Sequence, residues 1–194
     1  PHSAAHGSKI RMTRYTYDVC VIGGGSGGFG AACAAARTGA RVLIVEAGSG
    51  LGGTSTWAGV NNYEPVASAT GLPEEIYNEL RQIPDAVAIQ FPFVKYHPKK
   101  PWGWFKLAES TDYRVSLSRR SGVPIAFEPG AMDQVMRRLL DQSGCDLWCD
   151  SRFMTATHSN GLIHTLTVEN ENSTREVSAG VFIDATANIQ LARQ

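Results

Sequence analysis

The chain has 194 residues, with 18 Lys plus Arg against 18 Asp plus Glu, so its formal net charge is zero. That balance gives no electrostatic pull toward nucleic acid or an anionic membrane, and no apolar run approaches the length a membrane helix needs. With 43% hydrophobic and 19% charged residues the composition is that of a globular protein with a real core.

Residues 1–11 are small and polar without periodicity, and Met12 stands just before the first apolar run. The expectation is a vector-derived or processed extension over 1–11, with no basic-then-apolar leader pattern in it. Residues 17–22 (YDVCVI) read as a buried strand. A glycine-rich stretch, 23–28, follows at once, and 27–38 is an alanine-rich helix closed by Gly39. Residues 41–46 (RVLIVE) form a second buried strand, which makes a βαβ unit with a parallel pair.

Residues 47–70 read mainly as loop, and 73–81 as a short helix with Pro73 in its first turn. The stretch 84–129 is irregular and aromatic-rich, the mark of a functional insertion. Met132, Val135, Met136, Leu139 and Leu140 recur at helical spacing and predict a helix over 130–142. A short strand is expected at 146–149. Three strands joined by tight turns follow at 152–158, 162–169 and 174–178, and a last sheet strand at 181–185.

Gly23, Gly25 and Gly28 fit G-x-G-x-x-G. The spacing serves a tight turn, room for a pyrophosphate against the backbone, and close packing of helix on strand. Glu46, at the end of the second strand, is placed to accept hydrogen bonds from ribose hydroxyls and would repel a 2′-phosphate. The pattern predicts dinucleotide binding in a Rossmann-type fold, and by itself leaves NAD and FAD open.

Residues 17–57 resemble the N-terminal part of FAD-dependent oxidoreductases with the glutathione-reductase-like fold, and GVNNYEP at 59–65, GLPEEIY at 71–77 and FEPGAM at 127–132 add to the likeness. The resemblance implies an α/β fold: a Rossmann-type parallel sheet with a three-stranded β-meander crossover and an irregular inserted segment. It implies FAD as cofactor. Gly23, Gly25, Ser26, Gly27 and Gly28 would face the pyrophosphate, and Glu46 and Ala47 the ribose. Gly52, Gly53, Thr54 and Ser55 would lie beside the flavin side and reach the pyrophosphate or ribityl chain, Ala185 and Thr186 would lie near the adenosine end, and Phe153 would also bind the cofactor. One departure stands out: after Ala185-Thr186 the family continues Gly-Asp and a small residue, where this chain has Ala187, Asn188 and Ile189.

These readings give an FAD-binding domain over 12–58 and 128–194, incomplete at its C-terminal end, and an inserted segment, 59–127, as substrate or cap region. The function implied is hydride transfer between a small organic substrate and FAD. An NAD-dependent dehydrogenase and a nucleotide-binding subunit without catalysis of its own are the alternatives. Partners expected are a small-molecule substrate and a C-terminal half or second chain that completes the fold, with neither nucleic acid nor membrane. No catalytic residue stands out. His97 and the segment Lys95 to Lys106 suit either a pocket lining or a surface loop, and His158 and His164 read as exposed strand residues. The four cysteines show neither disulfide, C-x-x-C nor metal spacing, which suits free thiols and a cytoplasmic setting.

Overall fold

The computed structural model describes residues 12–63, 70–89 and 125–194. The expected extension at 1–11, most of the aromatic-rich stretch and His97 lie outside the described residues. The chain divides into two compact units, one formed by the residues up to Gly50 and from Leu140 on, the other by Leu51–Leu139.

The first unit is built on β1 (Thr13–Ile22), α1 (Ser26–Arg37) and β2 (Val42–Val45). Val19 to Ile22 pair in parallel with Val42 to Val45, as the apolar runs predict. Gly39 ends the helix with φ of +92°, a conformation that costs glycine little.

The second unit holds β3 (Asn62–Tyr63), α2 (Leu72–Leu80), β4 (Val87–Ile89), β5 (Ile125–Phe127) and most of α3 (Pro129–Gln142). Its three strands pair antiparallel in the order β3-β5-β4. The short strands were not legible in sequence: two or three residues carry no period. The apolar stripe of α3 is buried as predicted, through Met132, Val135, Met136 and Leu139. Arg138 on α3 pairs with Glu79 on α2 at 2.7 Å.

Back in the first unit come β6 (Asp146–Trp148), β7 (Arg152–Ser159), β8 (Leu162–Asn170) and β9 (Ser173–Asp184). The six strands of this unit form one sheet in the order β6-β2-β1-β9-β8-β7. The members β6, β2, β1 and β9 run parallel, while β7 and β8 are antiparallel. The β-meander thus carries the chain from β6 across to β9, where a helix would otherwise make the crossover.

One expectation needs correction. The strands foreseen at 174–178 and 181–185 are a single strand, β9, paired with β1 from Arg175 to Asp184. Gly180 does not break it, because a Cβ there would stand 3.2 Å from the carbonyl of Asp18. The glycine marks close approach of two strands rather than a turn.

The core of this unit explains the meander's place. Cys20, Ile22, Leu43 and Val45 point to one face of the sheet and form a buried cluster with Phe153, Leu166, Val168 and Val177. The meander therefore covers that face. Val21 and Ile44 alternate to the other face, where α1 packs on β1 and β2 through Phe29, Ala32, Cys33 and Ala36. Among the described residues no helix is long and apolar enough to cross a membrane.

Candidate cofactor-binding site

The glycine loop joins β1 to α1, and each of its three spaced glycines has a separate physical reason. Gly23 takes φ of +102°, and a Cβ there would lie 2.7 Å from the carbonyl oxygen of Ala185. Gly28 faces back on the loop: a Cβ would stand 1.9 Å from the oxygen of Gly23 and 3.2 Å from Cβ of Ala185. Helix, loop and the end of β9 are packed to backbone contact here. Gly25 differs, with nothing within 4 Å of where its Cβ would be. Its bareness leaves open space at the head of the helix instead of relieving a clash.

That space lies where a diphosphate can be bound. The first bond inside α1 is donated by the N–H of Phe29 to the oxygen of Gly25, at 2.9 Å. The N–H groups of Ser26, Gly27 and Gly28 therefore precede the helix's own ladder. Gly25 caps the helix without a side-chain bond, and no acidic residue sits in the first turn. The positive end of the helix dipole is left for an anion.

Glu46 sits just beyond β2 and ties two loops together. Its Oε2 accepts the N–H of Gly24 and its Oε1 the N–H of Gly48, each at 2.6 Å. The backbone of Glu46 is fixed as well, with its N–H donated to Trp148 and its carbonyl accepting from Ser151. The sequence assigned this carboxylate to ribose alone, whereas each oxygen already holds one backbone donor. A carboxylate offers about four lone-pair sites, so a ribose diol can still be accepted. Ala47, next in the chain, is exposed.

Ala185 and Thr186 follow β9 directly. Ala185 donates its N–H to Ile22 at 2.9 Å and so adjoins the glycine loop. Thr186 donates its hydroxyl to Oδ1 of Asp184 at 2.6 Å and accepts the N–H of Gln190 at 2.9 Å. Asp184 also accepts the N–H groups of Thr186, Leu191 and Ala192. Burial raises the pKa of Asp184, but these hydrogen bonds, led by the Thr186 hydroxyl, outweigh it and hold the carboxyl below its ordinary value. Sequence reading missed Asp184 as an organiser. The signal was there, since Asp-x-Thr is a pattern in which an Asp side chain caps the backbone two residues on.

The departure at 187–189 is visible as backbone geometry. Ile189 has φ of +51° and is exposed, a conformation in which a β-branched residue is an outlier. The small residue expected there would relieve it.

Phe153 is placed in the buried cluster under the meander, so its ring belongs to the core. Gly52, Gly53, Thr54 and Ser55 lie in the second unit and form a 3-10 turn with its preceding residue. Gly52 and Gly53 both have positive φ, +96° and +54°. Asp133 on α3 accepts the N–H of Leu51 just ahead of this turn, a bond with no mark in the sequence.

Among the described residues no disulfide joins the cysteines. Burial pushes Cys20 up to about 12, and burial with Cys33 and Asp146 nearby does the same to Cys145, so neither is a reactive thiolate near neutral pH. His164 meets Ser159 at 2.6 Å at the exposed tip of the β7–β8 hairpin. Among the described residues no cluster of His, Cys, Asp or Glu could hold a metal ion.

The sequence model of the family described as FAD dependent oxidoreductase matches residues 18–194. The chain belongs to that family. FAD is its cofactor, and the open position at Gly25, the uncapped helix and the Glu46 carboxylate suit a dinucleotide. A digeranylgeranylglycerophospholipid reductase of Thermoplasma volcanium is 29% identical over 174 residues, which are 88% of this chain and 39% of that protein. A geranylgeranyl bacteriochlorophyll reductase-like protein of Thermoplasma acidophilum superposes with a TM-score of 0.54 at 22% identity, over 93% of this chain and 44% of its own. A myxobacterial FAD-dependent halogenase, the chondrochloren halogenase, gives 0.58 at 19% identity, over 89% of this chain and 38% of its own. These two likenesses show the fold. The chain spans about two fifths of the length of such relatives.

Proposed function

We propose that this chain is the FAD-binding part of an oxidoreductase that moves a hydride between a small organic substrate and FAD. The observation that carries the reading is the open position at Gly25 against the uncapped head of α1, with Glu46 fixed beside the same loop. In this reading Gly23, Gly25, Ser26, Gly27 and Gly28 hold the pyrophosphate, and Glu46 with Ala47 takes the ribose. Ala185 and Thr186 border the adenosine half, and Phe153, whose ring lies in the core, contributes to the cofactor site through its backbone. Gly52, Gly53, Thr54 and Ser55 serve the ribityl and flavin side. The domain is then 12–58 with 128–194, and 59–127 is the substrate or cap region, in a cytoplasmic protein whose thiols stay reduced.

When bound, FAD supplies the hydride chemistry, and the residues named here bind and orient it. The lipid reductase named above makes the reduction of unsaturated, apolar polyprenyl chains the first class to try. The test is anaerobic mixing of the FAD-loaded protein, carrying its completing segment, with reduced nicotinamides and with organic substrates, watching the visible flavin bands. Bleaching by one of them is expected. Bands that none of them moves, while a chemical reductant bleaches them, would overturn hydride transfer as the function.

The pairing of β9 favours a completing segment. Its contact with β8 runs only from Ser173 to Ser178, while its contact with β1 runs on to Asp184. Among the described residues no strand pairs with 179–184 on the far side of β9. An edge of this kind accepts a further strand. We assign it to the C-terminal part of the same protein, without which FAD is held loosely.

A further inference from the structure

We infer that Asp133 is a positioning residue for the flavin half of the cofactor, acting through the peptide of Leu51. The inference rests on the proposal that the turn at Gly52 to Ser55 serves that half.

Asp133 stands in the second turn of α3, well away in sequence from the residue it holds. Its Oδ1 accepts the N–H of Leu51 at 2.6 Å, and its Oδ2 accepts from Nε of Arg137, one helical turn on, at 2.9 Å. The carboxylate is thus oriented from one side and spends its other oxygen on a single backbone donor. Bonds from backbone N–H to an ionised acceptor are the strong kind.

Leu51 is a fit place to hold a turn. Its side chain is fully buried, and its carbonyl accepts the hydroxyl of Thr56. Both polar groups of its backbone are therefore tied to side chains. The residues that follow cannot find this geometry by local preference alone. Gly52 and Gly53 are both left-handed, and a Cβ at Gly52 would stand 2.5 Å from Cγ2 of Thr56. The turn then closes on itself through Ser55 N–H to Gly52, Thr56 and Trp57 N–H to Gly53, and Val60 N–H to Thr54. It is a stiff turn whose direction is set at Leu51. Removing the carboxylate frees that start while the turn's own bonds persist, so the loss falls on aim.

The experiment is a calorimetric titration of the full chain with FAD and, separately, with ADP, which carries the adenosine end and the diphosphate but no flavin. Wild type should bind FAD more tightly than ADP. Asp133→Ala should weaken FAD by about tenfold, the worth of a hydrogen bond to a charged group, and leave ADP unchanged. Asp133→Asn keeps an acceptor for Leu51, and its amide NH2 meets the Arg137 side chain rather than a fixed backbone N–H, so it should restore FAD affinity, which a role in charge alone would not allow. Gly52→Ala, which strains the turn itself, should weaken FAD selectively too. If Gly52→Ala weakens FAD and Asp133→Ala does not, or Asp133→Ala weakens both ligands alike, the positioning role is wrong and the turn keeps its assignment. If wild type binds FAD no more tightly than ADP, or Gly52→Ala changes nothing, the turn's assignment falls and the inference with it. Should Asp133→Ala fail to fold, Thr56→Val frees the next peptide, on the other side of Leu51, and an FAD affinity equal to wild type then overturns the inference.

Discussion

Glu46 and Gly24, 22 residues apart, are joined by a 2.6 Å hydrogen bond from the Gly24 N–H to Oε2. The bond sets the carboxylate against the glycine loop before any nucleotide arrives. The second oxygen, held by Gly48, fixes the carboxylate's rotation, so the free lone pairs have one direction in which to meet a ribose. Glu46→Ala should weaken nucleotide binding by about 1–3 kcal/mol. Glu46→Gln should not rescue it, because its amide NH2 would face a backbone N–H. Titration of both variants with FAD checks this, and a Gln variant of wild-type affinity would contradict it.

Gly25 and Gly28 should fail in opposite ways. Gly25→Val places its side chain in open space at an extended backbone with φ of −68°, so the fold should survive while nucleotide affinity is lost. Gly28→Ala puts a Cβ 1.9 Å from the oxygen of Gly23 and should cost about 3 kcal/mol of stability. Urea unfolding beside a nucleotide titration separates the two. Equal stability loss in both variants would show that Gly25 is a packing glycine as well.

Asp184 gives the stability a pH dependence. Its folded pKa lies below the ordinary 3.8, so its contribution is present in full above that value. It is lost as pH falls further, through the folded pKa. Asp184→Ala leaves the N–H groups of Thr186, Leu191 and Ala192 without this acceptor and should cost about 1–3 kcal/mol near neutral pH. Asp184→Asn should flatten the acid limb of the stability curve. Unfolding midpoints measured from neutral pH down into the acid range decide it, and an unchanged acid limb in the Asn variant would remove Asp184 from the account.

Ile189→Gly should stabilise the protein by about 1 kcal/mol, since a β-branched residue leaves the left-handed region and glycine occupies it without strain. The side chain is exposed, so little packing is lost with it. A lower unfolding midpoint in the variant would show that Ile189 makes contacts worth more than the strain.

The parts of the fold legible in sequence are those where side-chain period and backbone chemistry agree. The run from Tyr17 to Glu46 gave strand, loop, helix and strand in order because apolar residues and glycines there leave one reading, although β1 starts earlier, at Thr13. The stripe from Met132 to Leu140 gave α3 on the same grounds. The break expected between 178 and 181 was wrong, because a glycine that serves close strand approach looks the same in sequence as one that ends a strand. The bonds from Glu46 to Gly24 and Gly48, and from Asp133 to Leu51, were illegible for a different reason. They join a side chain to a backbone N–H that every residue but proline carries, so the partner leaves no mark in the sequence.

The most direct test of the central claim is a titration of the chain with FAD and with NAD, followed by flavin absorbance and fluorescence, with Gly25→Val in parallel. The account predicts that FAD binds more tightly than NAD, that the flavin spectrum shifts on binding, and that Gly25→Val abolishes the shift while remaining folded. NAD binding as tightly as FAD, or an FAD shift that survives in Gly25→Val, would contradict it.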